Sequence, residues 1–215
     1  MNNLQIKYLI FMLQTVRLKE LSRDKFLTPD ECARLCSAPA RNSLMGMRDY
    51  AILKVMLNCG LRKNEIIELR VKDFQRQGNE YWLVVHSKGG DIEEQDILSD
   101  RAITAIQRYL KKSGHADKPD DPLFQPLPSR VKTDSKKISR RSIDFFLEKY
   151  VKRAGIGKHV HAHMLRHTFG TELQALTGDI KLTQKAMRHK NLNSTMIYLH
   201  VDRERVKQGL SKLNL

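Results

Sequence analysis

The chain has 215 residues, 40% of them hydrophobic, with 39 Lys and Arg against 24 Asp and Glu and a formal net charge of +15. That apolar fraction supports one good-sized core with an appendage and excludes a disordered chain, while the cationic excess selects a polyanion as partner, nucleic acid before membrane. The apolar run Tyr8 to Leu13 falls short of the ~18 residues of a membrane span, and Met1-Asn-Asn-Leu4 lacks the basic start of a signal peptide, so a cytoplasmic protein without membrane contact is expected.

Residues 1–26 read as a short lead, helical over Leu4 to Val16 and then a charged linker to Lys25. Thr28-Pro-Asp-Glu31 is a helix start, with Thr28 as cap, Pro29 in the first turn and Glu31 closing a capping box. Cys32, Cys36 and Cys59 cannot all pair within one chain; without a second ligand pair they read as ordinary buried or half-buried thiols of a reducing compartment. A second helix is expected from Met47 to Asn58, with Tyr50, Leu53, Met56 and Leu57 inward and Gly60 as its stop. Arg62 follows, and a third helix over Lys63 to Leu69 would set Glu65 one turn away, where its carboxylate can orient the guanidinium. Taken alone, Arg62 would pass for a solvated charge.

Tyr81 to His86 is β-rich, Gly89-Gly90 is a turn signal and a second strand is expected from Ile92 to Leu98. Lys88 then sits at a hairpin tip, where a lysine is usually just solvated. Asp100 is the expected cap of a supporting helix to Lys112, apolar at Ile103, Ile106, Tyr109 and Leu110. Ser113 to Lys137 holds four of the six prolines and reads as a long loop with one extended piece at Leu123-Phe124. Ser139 opens a helix to about Ala154, apolar at Ile143, Phe146, Leu147, Tyr150 and Val151, with Gly155 as its stop. Arg140 and Arg141 at its amino end are candidate DNA contacts, because the helix end adds positive potential; a solvated basic face is the competing reading. The expected fold class is mainly α with a small antiparallel β-sheet.

The stretch His161-Ala-His163-Met-Leu-Arg166-His167-Thr-Phe-Gly170 comes next. On a helix beginning near His163, positions 163, 166 and 167 put two imidazoles and a guanidinium on one face, which is expected to be cationic and to meet an anion such as a phosphate. Gly178 breaks this helix and Asp179 caps another to Met187. His189 follows, Tyr198 lies on a further short helix, and Val201 to Leu213 is a terminal helix with Val206, Leu210 and Leu213 on its apolar stripe. His159-x-His161-x-His163 lacks the surrounding cysteines and carboxylates of a metal site, so neither metal nor cofactor is expected.

His163-x-x-Arg166-His167-Thr168, then Arg188-His189, then Tyr198 resemble the carboxy-terminal signature of the tyrosine recombinases, the phage integrase and Xer family. Upstream, Cys59-Gly-Leu-Arg62-Lys-Asn-Glu65 is similar to that family's Gly-Leu-Arg-x-x-Glu segment, and Ser87-Lys88-Gly-Gly90 to its lysine-bearing hairpin. Two positions depart: Arg188 stands where the family usually has glycine, and the lysine hairpin runs on into acidic Asp91-Ile-Glu-Glu94. The resemblance implies a catalytic domain over residues 27–200 with the family's fold. It implies Arg62, Arg166 and His189 on the nonbridging oxygens of a phosphodiester, Tyr198 as nucleophile, His163 as base and Lys88 as acid to the leaving oxygen.

The implied partner is a double-stranded DNA recombination site, bound by a dimer to tetramer of the chain, with accessory DNA-bending proteins as further candidates. The lead of residues 1–26 is much shorter than the family's amino-terminal domain, and the helix of residues 201–215 is expected to dock on a neighbouring protomer. A type IB topoisomerase and a non-catalytic DNA-binding regulator are the competing functions. Seen singly, Tyr198 would be an ordinary helix-edge tyrosine and His163 a core histidine.

Overall fold

In the computed structural model, which describes residues 25–86, 92–96, 99–127 and 136–188, Thr28 starts the first described helix as its sequence prescribes, and the helix expected over Leu4 to Val16 lies outside the described residues. Its hydroxyl accepts from Glu31 N at 3.2 Å, the Glu31 carboxylate accepts from Thr28 N at 2.8 Å, and Pro29 opens helix α1 (Pro29–Ser37). The same carboxylate pairs with Lys158 at 2.8 Å, so the cap also ties α1 to the segment preceding the site helix. Cys32, Cys36 and Cys59 are free thiols, the last two buried.

Helix α2 (Leu44–Cys59) begins three residues before the expected start, because Ser43 accepts from Gly46 N and caps it. Its inward face is also wider than expected. Ala51, Ile52 and Val55 are as buried as Leu53 and Met56, whereas Tyr50 and Leu57 are only half-buried. The helix is therefore central, packed on most of its circumference. Gly60 ends it in the left-handed region at φ 58°, and the short α3 (Lys63–Glu68) follows, with Leu69 as its cap.

After a 3-10 turn over Val71–Asp73 come three antiparallel strands, β1 (Phe74–Gln77), β2 (Glu80–His86) and β3 (Ile92–Asp96), in the order β1-β2-β3. Phe74 faces Leu83 across the first pair and Trp82 faces Asp96 across the second. β1 is a strand that the sequence reading leaves out. Its link to β2 is the two-residue turn Gly78-Asn79, with Gly78 at φ 60°, the backbone that such a hairpin turn asks of its first residue. β3 is described from Ile92 to Asp96, and the rest of the strand expected to Leu98 lies outside the described residues.

Helix α4 (Asp100–Ser113) is capped by Ser99, not by Asp100: the serine hydroxyl accepts from Ala102 N, and Asp100 is the first helical residue, where its charge suits the helix dipole. Ile106 and Tyr109 are fully buried on it. The following loop inserts its extended piece into the core: Leu123 N donates to Leu69 O at 2.8 Å, and Leu123 and Phe124 are buried. Helix α5 (Arg140–Arg153), capped by Ser139, buries Ile143, Phe146, Leu147, Tyr150 and Val151, the five positions its periodicity marks.

One core runs through these elements, from Leu35 and Ile52 to Leu83, Ile106, Phe124, Leu147 and Leu165. Each such side chain, fully buried, contributes about 1.5–3 kcal/mol. The core encloses a polar network that registers two helices, α2 and α5, with the loop at Gln125. Asp49 accepts from Arg48 at 2.9 and 2.8 Å and from the Tyr150 hydroxyl at 2.9 Å, while Arg48 donates to Gln125 O at 3.0 Å. Burial, then the Asp49 carboxylate, pushes the Tyr150 phenol far above its ordinary range, which keeps it a donor.

The chain divides into two compact units, Met1–Phe169 and Gly170–Leu215. In the second, Gly178 ends helix α6 (Ala162–Thr177) at φ 67° and Asp179 caps α7 (Ile180–Ala186) by accepting from Lys181 N and Leu182 N. Thr183 donates to Gln174 Oε1 at 3.0 Å. Arg188 has φ 49°, and among the described residues it is the one non-glycine with positive φ.

Candidate active site

The left-handed turn at Gly60 does two things for the residues beside it. It reverses the chain so that Arg62 becomes the residue preceding α3, and it exposes the Gly60 carbonyl to the helix α6 (Ala162–Thr177), where Arg166 Nη1 donates to it at 2.5 Å. A side chain at Gly60 has no room: a Cβ there would lie 2.4 Å from Phe169 Cδ1. Leu27 N donates to Thr168 Oγ1, which in turn donates to Met164 O, so the start of the domain is pinned to the same helix.

Arg62 is set by Glu65. The buried carboxylate accepts from Arg62 N at 2.7 Å and from Arg62 Nη1 at 2.6 Å, the ion pair that the one-turn spacing predicts. An arginine side chain cannot accept, so the cap is one-sided, from glutamate to backbone. The Arg62 side chain is 46% exposed, whereas Arg166 is 2% exposed. One guanidinium therefore reaches outward and the other is held within the wall.

Arg62, His163 and Arg166 line one cleft of about 310 Å³, together with Leu61, Lys63, Asn64, Asp144, His161 and Ala162. Asp144 and Lys63, paired at 2.7 and 2.8 Å, form a lip that sequence reasoning missed, since nothing local joins residues 81 positions apart. Arg140 and Arg141 are exposed in the first turn of α5, one helical turn before Asp144. His161 was also missed as a structural element: its carbonyl and its ring Nδ1 both accept from Met164 N, at 2.9 and 3.2 Å.

The expected cationic face needs correction. His163 and His167 meet edge to face, centroids 4.4 Å apart, with His167 half-buried behind His163 and not a lining residue of the cleft. Burial, then His163 and Arg166, lowers the His167 pKa to about 4; burial, then Arg166, His161 and Arg62, lowers that of His163. Near pH 7 both imidazoles are neutral, and the positive charge belongs to the arginines. The His159, His161 and His163 rings stand 5.9 and 6.5 Å apart, and no group of three metal-ligating side chains comes together among the described residues. Lys88, His189 and Tyr198, with the helix expected from Val201, lie outside the described residues.

This geometry can be set against known proteins. The Phage integrase family signature matches residues 25–205 of the chain. The chain belongs to the phage integrase family. Tyrosine recombinase XerC of Shewanella amazonensis is 33% identical over 180 residues, which is 83% of this chain and 57% of that protein. The XerC of Caldanaerobacter subterraneus is 35% identical over 195 residues, 87% of this chain and 50% of that one. The chain thus spans little more than half the length of the curated relatives it matches.

Among solved structures, XerA recombinase aligns with a TM-score of 0.66 at 27% identity, covering 86% of this chain and 64% of that one. XerH bound to its difH substrate aligns with a TM-score of 0.73 at 22% identity, covering 89% of this chain and 55% of that one, a likeness of fold. The fold class expected from sequence, mainly helical with a small antiparallel sheet, is the tyrosine recombinase catalytic-domain fold. Among the described residues no helix is long and apolar enough to cross a membrane.

Proposed function

We propose that the chain is a site-specific DNA recombinase that cuts and rejoins strands through a 3′-phosphotyrosyl intermediate. The observation that carries this reading is the convergence of Arg62, Arg166 and a neutral His163 on one cleft, in a chain whose XerC relatives are tyrosine recombinases. A phosphodiester resists attack because its oxygens repel nucleophiles and its alkoxide leaves poorly. Guanidinium forks match the nonbridging oxygens and offset the charge that grows on them in the transition state.

In this reading Tyr198 attacks phosphorus, His163 takes the phenolic proton and His189 adds a hydrogen bond to the phosphate. The bond from phosphorus to the 5′ oxygen breaks, and Lys88 delivers a proton to that oxygen. The phosphotyrosyl bond keeps the energy of the broken one, so a 5′ hydroxyl of another strand can reverse the step without ATP. Residues 27–200 form the catalytic body, Arg140 and Arg141 meet DNA phosphates beside the cleft, and the chain works as a dimer to tetramer on its site, with accessory DNA-bending proteins as optional partners.

The test is covalent capture. Protein is incubated with a pool of random-sequence duplexes bearing nicks, so that cleavage near a nick releases a short strand and traps the adduct on a denaturing gel. A trapped adduct supports the enzyme, and sequencing the captured DNA reads out the site. DNA retention without adduct would make the chain a binding regulator, and relaxation of plasmids lacking the captured site would make it a topoisomerase.

A further inference from the structure

Helix α6 begins without the Ser, Thr, Asp or Asn that usually caps a helix start. His161 occupies that place. The Met164 N–H in the first turn is shared between the His161 carbonyl at 2.9 Å and its ring Nδ1 at 3.2 Å. Nδ1 accepts only in a neutral ring whose proton sits on Nε2. The residue as a whole is exposed, while its ring lines the cleft with His163 and Arg166 and lies nearly parallel to His163, at 10° and a centroid separation of 6.5 Å.

We propose that His161 is a positioning residue: its neutral imidazole caps α6 and so holds His163 and Arg166 in the cleft, and its protonation loosens that turn. Capping itself is independent of the proposed function; only its catalytic consequence rests on that reading. Protonation acts against the helix twice. Nδ1 turns from acceptor to donor and confronts the Met164 N–H, and a cation appears at the end of a helix that already carries positive potential.

The groups facing the ring set where this happens. His159 lies on the preceding segment, His163 on α6 itself, Arg62 and Lys63 on the α3 side of the cleft and Asp144 on α5. His159 and Lys63 disfavour a charged ring and Asp144 favours it, but that carboxylate is already engaged by Lys63. With burial as the largest cause, the His161 pKa lies below the ordinary imidazole value. The cap is therefore intact near neutrality and is lost as the pH falls below the ordinary imidazole range.

The test compares the full chain with His161→Asn, which caps without titrating, and His161→Ala, which does not cap. Thermal unfolding and the initial rate of covalent capture from the nicked duplex pool are each followed from about pH 8 to about pH 5, spanning the ordinary imidazole pKa of ~6.5. At the upper end the wild type and His161→Asn should coincide, with His161→Ala about 2–4 °C lower in Tm. Toward pH 5 the wild type should lose stability relative to His161→Asn and approach His161→Ala. Over the same range its capture rate should fall about fivefold more than that of His161→Asn, the loss of one cap.

Parallel Tm profiles for wild type and His161→Asn, or an unchanged Tm for His161→Ala at the upper end, would overturn the cap. Diverging Tm profiles with parallel capture profiles would overturn the link to the cleft. Diverging Tm profiles with no adduct in any variant would leave the cap standing and remove the recombinase reading instead.

Discussion

Arg166 donates from Nη1 to the carbonyl of Gly60 at 2.5 Å across 106 residues of sequence. This bond joins the Gly-Leu-Arg turn to the site helix, so the two arginines of the cleft are placed by one backbone feature. Arg62 follows the turn, and Arg166 reads the turn's carbonyl.

Gly60→Ala is therefore expected to be costly. The left-handed backbone opposes any Cβ, and this Cβ would lie 2.4 Å from Phe169 Cδ1, so the loss should be about 3 kcal/mol. Gly78→Ala is the control, since its φ is similar at 60° but nothing lies within 4 Å of its Cβ; strain alone predicts about 1 kcal/mol. Equal losses in urea unfolding would show that the approach of Phe169 contributes nothing.

Glu65 holds both the backbone and the side chain of Arg62. Glu65→Gln keeps one acceptor oxygen, turns an amide donor toward the other Arg62 donor and loses the charge, and should cost about 1–2 kcal/mol of stability; Glu65→Ala removes both acceptors and should cost about 2–3 kcal/mol. Covalent capture should fall in the same order while nonspecific DNA affinity stays near wild type, because one half-exposed arginine supplies little of the total phosphate contact. Unequal affinity with equal capture would reverse that assignment.

The imidazoles make stability fall in acid. Both His163 and His167 have folded pKa values below the unfolded value of ~6.5, that of His167 at about 4. The unfolded chain then takes up protons first as pH falls, so their contribution is complete above ~6.5 and is lost between there and about 4. Urea midpoints measured across that window should decline, and less steeply for His167→Gln. A slope unchanged in that variant would remove His167 as the source.

How far this was legible beforehand depended on how local each feature is. The five buried positions of α5 follow from periodicity because that helix has one apolar side. α2 is packed on most sides, so periodicity has no single face to mark. Phe74-Gln-Arg-Gln77 has one apolar residue and was not recognisable as a strand; the Gly78-Asn79 turn was the available signal. In the cleft, Arg62 and Glu65 are legible as neighbours on one turn. Lys63 with Asp144 and Arg166 with Gly60 are not, because they meet only through the fold. The histidine charges depend on burial, which composition does not carry. The chain's +15 points to an anion but says nothing of which residues hold the charge.

Arg188 occupies a left-handed backbone at φ 49°, at the position where the phage integrase family usually has glycine. Arg188→Gly should relieve that strain and raise stability by about 1 kcal/mol, read as a Tm increase of about 2–4 °C. Arg188→Ala keeps the Cβ and should give no such gain. A Tm that falls in the glycine variant would mean that the arginine side chain's own interactions outweigh the strain.

The proposed reaction joins Tyr198 covalently to DNA. Wild type and Tyr198→Phe are incubated with the nicked duplex pool, and the same samples are run on a native gel for binding and a denaturing gel for adduct. The predicted result is an adduct for the wild type and none for Tyr198→Phe, with affinities nearly equal because one hydroxyl contributes little to binding. Peptide mass spectrometry of the wild-type adduct should place the nucleotide on Tyr198. An adduct that persists in Tyr198→Phe, or a wild type that binds DNA and never forms one, would contradict the account.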